Sequence, residues 1–154
     1  MIEEGKPAPD FTLADQAGKK VTLSKLKGSS VVLYFYPKDD TPGCTTEACA
    51  FRDAFADYKK AGAVILGVSP DDSASHAKFA KKFDLPFTLL ADNDKKVSEA
   101  YGVWKEKSMY GKKYMGVERT TFVIDRQGKV AKIFHKVKVD GHSSAVLDAI
   151  KEAS

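Results

Sequence analysis

Ser30-Val31-Val32-Leu33-Tyr34-Phe35-Tyr36 is the stretch that decides the fold. After the serine every residue is β-branched, aliphatic or aromatic, without polar alternation. A strand covered on both faces reads this way. Pro37 ends the run. Just beyond, Pro42-Gly43-Cys44 opens a segment in which Ala48, Phe51, Phe55 and Tyr58 recur at helical spacing, so a helix is predicted from there to about Lys60, stopped by Gly62. Ala63-Val64-Ile65-Leu66-Gly67-Val68-Ser69 reads as a second buried strand. Strand, helix and strand in succession make a parallel pair.

The same alternation runs outward. Pro70-Asp71-Asp72-Ser73 offers side-chain acceptors to cap a helix reaching Phe83. Phe87-Thr88-Leu89-Leu90 follows as a strand, and Lys96 to Tyr101 as a short helix stopped by Gly102. Thr120 to Asp125 and Val130 to Phe134 form a hairpin through Arg126-Gln127-Gly128-Lys129. His142 to Ala153 is an amphipathic closing helix. Before the central run, Phe11-Thr12-Leu13 and Val21-Thr22-Leu23 read as a small hairpin, and Ser24-Lys25-Leu26 as one helical turn. Val103 to Val117 is a long polar segment holding Trp104, Tyr110 and Tyr114. Its length suggests a functional surface, a cover over a site or simple edge packing. The predicted class is α/β with a thioredoxin-like fold. A central mixed β-sheet is flanked by helices, with an N-terminal β-hairpin extension, in one domain over residues 1–154.

The bulk numbers fit that reading. A chain of 154 residues suits one core, and 43% hydrophobic with 30% charged residues is ordinary for a globular protein. The net charge of +4 comes from lysines scattered among acids, as in Lys38-Asp39-Asp40, rather than from a basic stripe, so no nucleic-acid partner is expected. The longest apolar run, Val31 to Tyr36, is too short to cross a bilayer, and Met1-Ile2-Glu3-Glu4-Gly5-Lys6-Pro7 has no apolar leader core. The expectation is a cytoplasmic protein without a membrane partner.

Only two cysteines occur, Cys44 and Cys49. In a reducing compartment such a pair is more often redox-active than a staple. Cys44 falls where the buried strand has ended and the helix begins. That is the carboxyl edge of the sheet, where open α/β folds place their reacting groups. The first turn of a helix offers free N–H groups and the positive end of the dipole, both of which favour a thiolate. A free cysteine with a pKa near 8.5 is only slightly ionised at neutrality. A shift of roughly two units, about 2.7 kcal/mol, would make the thiolate dominant. Thr41 lies on the same turn, either as a plain helix cap or with its hydroxyl ready to hydrogen-bond a reactant. Pro37 and Pro42 stiffen the turn.

Cys49 follows Cys44 by five positions. In a regular helix their Cα atoms are about 8.7 Å apart and face nearly opposite ways. A disulfide needs about 7 Å or less. Either the two never bond, or the first helical turn unwinds during the reaction. Taken alone, Cys49 also reads as an inert cysteine on an apolar helix face.

The stretch Pro37-x-x-x-Thr41-x-x-Cys44 resembles the active-site motif of the peroxiredoxins. Cys44-Thr45-Thr46-Glu47-Ala48-Cys49 is similar to the Q or bacterioferritin-comigratory type. The likeness extends to Gly5-Lys6-Pro7-Ala8-Pro9-Asp10-Phe11-Thr12-Leu13, to Tyr101-Gly102-Val103-Trp104-Lys105-Glu106-Lys107, and to the run from Gly116 to Asp125. The resemblance implies a thiol peroxidase without cofactor or metal. In it Cys44 attacks hydrogen peroxide or an alkyl hydroperoxide and becomes a sulfenic acid. Cys49 resolves it as an intramolecular disulfide, and thioredoxin or a similar dithiol reduces the bridge. Thr41 would hydrogen-bond the peroxide, Arg119 would stabilise thiolate and leaving oxygen, Pro37 would shield the sulfur, and Glu47 would orient Arg119. The larger dimeric members carry a C-terminal extension with its own resolving cysteine. The absence of such an extension here implies a monomer.

From residues alone Arg119 reads as a surface arginine, because spacing does not bring it to Cys44. Other chemistries fit less well. Dithiol oxidoreductases use Cys-x-x-Cys, two residues tighter than this pair. Cys44, Cys49, His76, His135 and His142 match no zinc spacing, and the histidines are expected at the surface or at helix caps. No Gly-x-Gly-x-x-Gly follows a strand, which argues against a dinucleotide cofactor.

Overall fold

The computed structural model describes residues 2–153; the predicted span of 1–154 also takes in Met1 and Ser154, which lie outside them. In chain order the elements are β1 (Thr12–Asp15), β2 (Lys20–Thr22), a 3₁₀ turn at Leu23–Leu26, β3 (Ser30–Phe35), α1 (Pro42–Asp53), α2 (Phe55–Lys60), β4 (Ala63–Ser69), α3 (Ser73–Lys82), β5 (Thr88–Ala91), α4 (Lys96–Ala100), β6 (Trp104–Met109), β7 (Lys112–Val117), β8 (Thr120–Ile124), β9 (Val130–Phe134) and α5 (His142–Ala153).

The unbroken apolar run becomes the interior of a seven-stranded sheet ordered β2-β1-β5-β4-β3-β8-β9. The strands β3, β4 and β5 are mutually parallel, β1 and β8 run antiparallel to them, and β9 pairs antiparallel with β8, giving the mixed sheet. All six residues of β3 are buried, and they alternate between two cores. Val31, Leu33 and Phe35 face one core with Phe11, Val97, Tyr101 and Phe122. Val32, Tyr34 and the following Tyr36 face the other, built with Ala48, Phe51, Tyr58, Phe79, Val146 and Ile150 from α1, α2, α3 and α5. A period of two with helices on one side and α4 plus the leader on the other explains why Val31 to Phe35 show no polar alternation. Opposite Tyr34, β4 carries Gly67. A β-carbon there would come 2.8 Å from the Tyr34 ring, so the glycine makes room for it.

The expected leader hairpin forms and extends the main sheet, since β1 pairs with β5 and the hairpin makes one edge. Two expectations change. The helix predicted to reach Lys60 breaks at Ala54, whose ψ of 6 departs from helical geometry. Beyond the break, α2 carries Tyr58 to α5, where its hydroxyl donates to the Ser143 carbonyl at 2.5 Å. The polar segment after Gly102 folds as β6 and β7, a two-stranded hairpin of its own. It turns at Tyr110 and Gly111, both with positive φ (53° and 78°), as a tight hairpin turn demands. Its tip is open, with Tyr110 99% exposed and Met109 56% exposed. Among the described residues no helix is long and apolar enough to cross a membrane.

Candidate active site

The sheet register builds the site. β3 ends at Phe35, and the chain leaves through Tyr36-Pro37-Lys38-Asp39-Asp40-Thr41 into α1. β8 runs antiparallel beside β3 with Thr120 opposite Phe35. The residue before Thr120 therefore lies at the carboxyl end of β3, the edge from which α1 starts. That residue is Arg119.

Cys44 is the third residue of α1 and is only 1% exposed, although its chain neighbours Pro42 and Gly43 are exposed. Arg119 Nη2 donates to Cys44 Sγ at 3.2 Å, and Nη1 donates to Glu47 Oε1 at 2.6 Å. One planar fork thus spans the sulfur and a carboxylate on the same helix face, three residues apart. Burial works against the Arg119 charge, yet Glu47 and Cys44 outweigh it and hold its pKa above the ordinary value. Glu47 is 1% exposed. Burial pushes its pKa up to about 7 against the opposing pull of Arg119, and Oε2 has no hydrogen-bond partner among the described residues. The buried Tyr34 hydroxyl is likewise without a partner there. Burial first, and then the nearby Glu47, raise the Tyr34 pKa far above its usual range.

Gly43 lets the fork approach. A β-carbon at that position would sit 3.2 Å from Arg119 Nη2. Thr41 is the N-cap of α1, with extended backbone, but its side chain makes no capping bond. Its hydroxyl instead donates to the Lys38 carbonyl at 2.9 Å, which leaves oxygen lone pairs free to accept. Pro37 sits half-buried at the start of the loop. Cys49 lies partly buried in the same unbroken α1, and both cysteines are free thiols. An intact helix keeps them apart, as the spacing required.

The histidine expectation holds for His135, which is exposed, and fails for His76, while His142 stands at a helix end but not at the surface. His142 opens α5 yet is buried, paired with Thr121 Oγ1 at 2.8 Å, and its pKa is pushed down to about 4 by burial, with Arg119 adding to the effect. His76 is fully buried against Asp39. The signal was present: His76, Phe79 and Phe83 recur at helical spacing, so His76 belongs to the apolar stripe of its helix. The ligand atoms of Asp39, Asp71 and His76 lie within 4.8 Å of one another, but each already has a hydrogen-bond partner.

Comparison with known proteins gives a consistent picture. The AhpC/TSA family model matches residues 5–133. The chain is 52% identical to a peroxiredoxin Bcp of Bacillus subtilis over 153 residues, covering 99% of this chain and 98% of the relative. It is 54% identical to a putative peroxiredoxin bcp of Coxiella burnetii over 146 residues, covering 95% and 97%. Among solved structures it superposes on a bacterioferritin comigratory protein of Xanthomonas campestris with a TM-score of 0.91 at 43% identity, covering 97% and 98% of the two chains. That protein was trapped as an intermediate/ligand complex to study its alkyl peroxide reduction.

Proposed function

The chain belongs to the AhpC/TSA family, as a Q or bacterioferritin-comigratory type peroxiredoxin and hence a thiol peroxidase, and we propose that its chemistry runs on Cys44 with Cys49 as the second thiol. The observation that carries this assignment is the Arg119 fork, 3.2 Å from Cys44 Sγ. A permanent cation donating to the sulfur favours the anionic nucleophile, and the helix N-terminus acts in the same direction.

The Cys44 thiolate attacks the terminal oxygen of hydrogen peroxide or an organic hydroperoxide. The S–O bond forms as the O–O bond breaks, and sulfur is oxidised by two electrons to a sulfenic acid. The departing oxygen takes a proton and leaves as water or alcohol. Arg119 stabilises the charge developing on that oxygen. Thr41 Oγ1 accepts a hydrogen bond from the peroxide while its own hydroxyl proton stays directed at the Lys38 carbonyl. Glu47 holds the guanidinium in the plane it needs, and Pro37 walls the sulfur from bulk water.

The first turn of α1 then unwinds. Cys49 attacks the sulfenic sulfur, the disulfide forms and water leaves. Thioredoxin or a similar dithiol reduces the bridge. Both cysteines stand on one helix of one chain, which supports resolution within a monomer. The physiological reading is antioxidant defence in the cytoplasm. Peroxide-dependent oxidation of thioredoxin by the wild type, and its loss in Cys44→Ser, tests the assignment.

A further inference from the structure

Asp39 and His76 have no part in the cycle above, yet they form the centre of a buried polar cluster beside it. His76 is 0% exposed and Asp39 7% exposed. His76 Nε2 lies 2.8 Å from the Leu90 carbonyl, which can only accept, so that nitrogen carries a proton. Nδ1 lies 2.7 Å from Asp39 Oδ2, so a second proton is held between ring and carboxylate. Tyr36 donates its hydroxyl to Asp39 Oδ1 at 2.5 Å, and Ser75 donates to Oδ2 at 2.8 Å. The Asp39 backbone N–H donates to Asp71 Oδ2 at 2.8 Å, and the same oxygen accepts from Ser69 Oγ at 2.6 Å.

These bonds tie one loop residue to four places: the end of β3 through Tyr36, the end of β4 through Ser69 and Asp71, α3 through Ser75 and His76, and β5 through Leu90. Only Asp40 and Thr41 separate Asp39 from the first residue of α1. Thus the chain is pinned just upstream of the turn that has to melt.

We propose that Asp39 and His76 are positioning residues that clamp the loop ahead of α1 and so set the balance between the helical and the unwound state of the Cys44 turn. With the clamp closed, the turn re-forms against a fixed anchor that returns Sγ to Arg119. With it open, the loop moves with the turn, and the unwound state gains population. The clamp rests on the Cys44–Cys49 cycle proposed above. It makes a prediction that a general loss of stability does not: the two chemical steps respond in opposite directions.

The test is rapid-quench kinetics with hydrogen peroxide, followed by mass spectrometry of the sulfenic and disulfide forms, on the wild type, Asp39→Asn, His76→Gln and Ser75→Ala. A bond to a charged group is worth a factor on the order of 10 to 100 in an equilibrium. Asp39→Asn and His76→Gln should therefore speed disulfide formation by about tenfold or more and slow sulfenic acid formation by less, in proportion to the helical population lost. Ser75→Ala removes one partly buried bond and should likewise speed disulfide formation and slow sulfenic acid formation, by a few-fold at most. It serves where the buried variants fail to fold. Slowing of both steps, or no change in either, in folded Ser75→Ala and in whichever buried variant folds overturns the clamp. If wild-type Cys44 forms no sulfenic acid at all, the cycle itself is wrong rather than the clamp.

Discussion

Arg119 donates from Nη2 to Cys44 Sγ at 3.2 Å across 75 positions of sequence. The pairing follows from β8 lying antiparallel to β3 with Thr120 beside Phe35, which delivers the preceding residue to the edge where α1 begins. The second nitrogen of the fork is committed to Glu47 at 2.6 Å, so the guanidinium is fixed by two side chains of α1 rather than one.

Arg119→Lys should fail as a conservative change. A lysine ammonium is a point charge and cannot hold the sulfur and the carboxylate in one plane. Loss of one donor to a developing oxyanion costs on the order of 10² to 10³ in rate. Stopped-flow peroxide consumption should show a fall of about that size, with Arg119→Ala at least as low. Wild-type rates in Arg119→Lys would remove the fork from catalysis.

Gly43→Ala separates packing from stability. The residue lies in α1 and is not among the positive-φ glycines, and alanine in a helix is favoured over glycine by up to about 1 kcal/mol. The added carbon meets Arg119 Nη2 at 3.2 Å. Thermal unfolding should therefore hold or improve while peroxide reactivity drops several-fold. A fall in both would point to a distorted helix instead of a displaced arginine.

Glu47 should leave a mark on the pH profile. Its folded pKa of about 7 lies above the ordinary 4.5, so the folded protein holds this proton through a window in which the unfolded chain has lost it. The residue's contribution to stability is thus greatest below about pH 4.5 and is lost as pH rises through about 7. Glu47→Gln should abolish an ionisation near pH 7 in the peroxide rate and raise stability relative to wild type at pH 8. A wild-type profile flat through this range speaks against ionisation of Glu47 in the site.

His142 acts with the opposite sign. Its folded pKa of about 4 lies below the ordinary 6.5, so the neutral ring is the folded form and the unfolded chain binds the extra proton first. Stability from this site is present above about pH 6.5 and lost as pH falls toward about 4. Denaturant midpoints measured from pH 7 to 4 should fall in the wild type and fall less in His142→Asn.

Much of the architecture was legible because buried strands advertise themselves. Ala63–Ser69 and His142–Ala153 form with the predicted bounds, and the Ser30 run becomes β3 to within a residue. The hairpin β6–β7 was read only as a polar segment. Its residues are mostly exposed on both faces, so no apolar alternation marks it, and only Tyr110-Gly111 signals the turn. Cys44 was legible from its place at a strand-to-helix corner. Arg119 was not, since strand order decides what meets that corner, and only the family resemblance named it. Asp39 reads as surface until its partners, here Tyr36, Ser75 and His76, are known, whereas burial of His76 is signalled only by its stripe with Phe79 and Phe83.

Treatment of the reduced protein with one equivalent of hydrogen peroxide, followed by thiol counting and peptide mapping, tests the two-cysteine cycle most directly. The wild type should lose both thiols to a Cys44–Cys49 disulfide within one chain. Cys49→Ser should stop at a Cys44 sulfenic acid, and Cys44→Ser should leave peroxide untouched. Peroxide reduction that survives in Cys44→Ser, or a wild-type product with Cys49 still free, contradicts it.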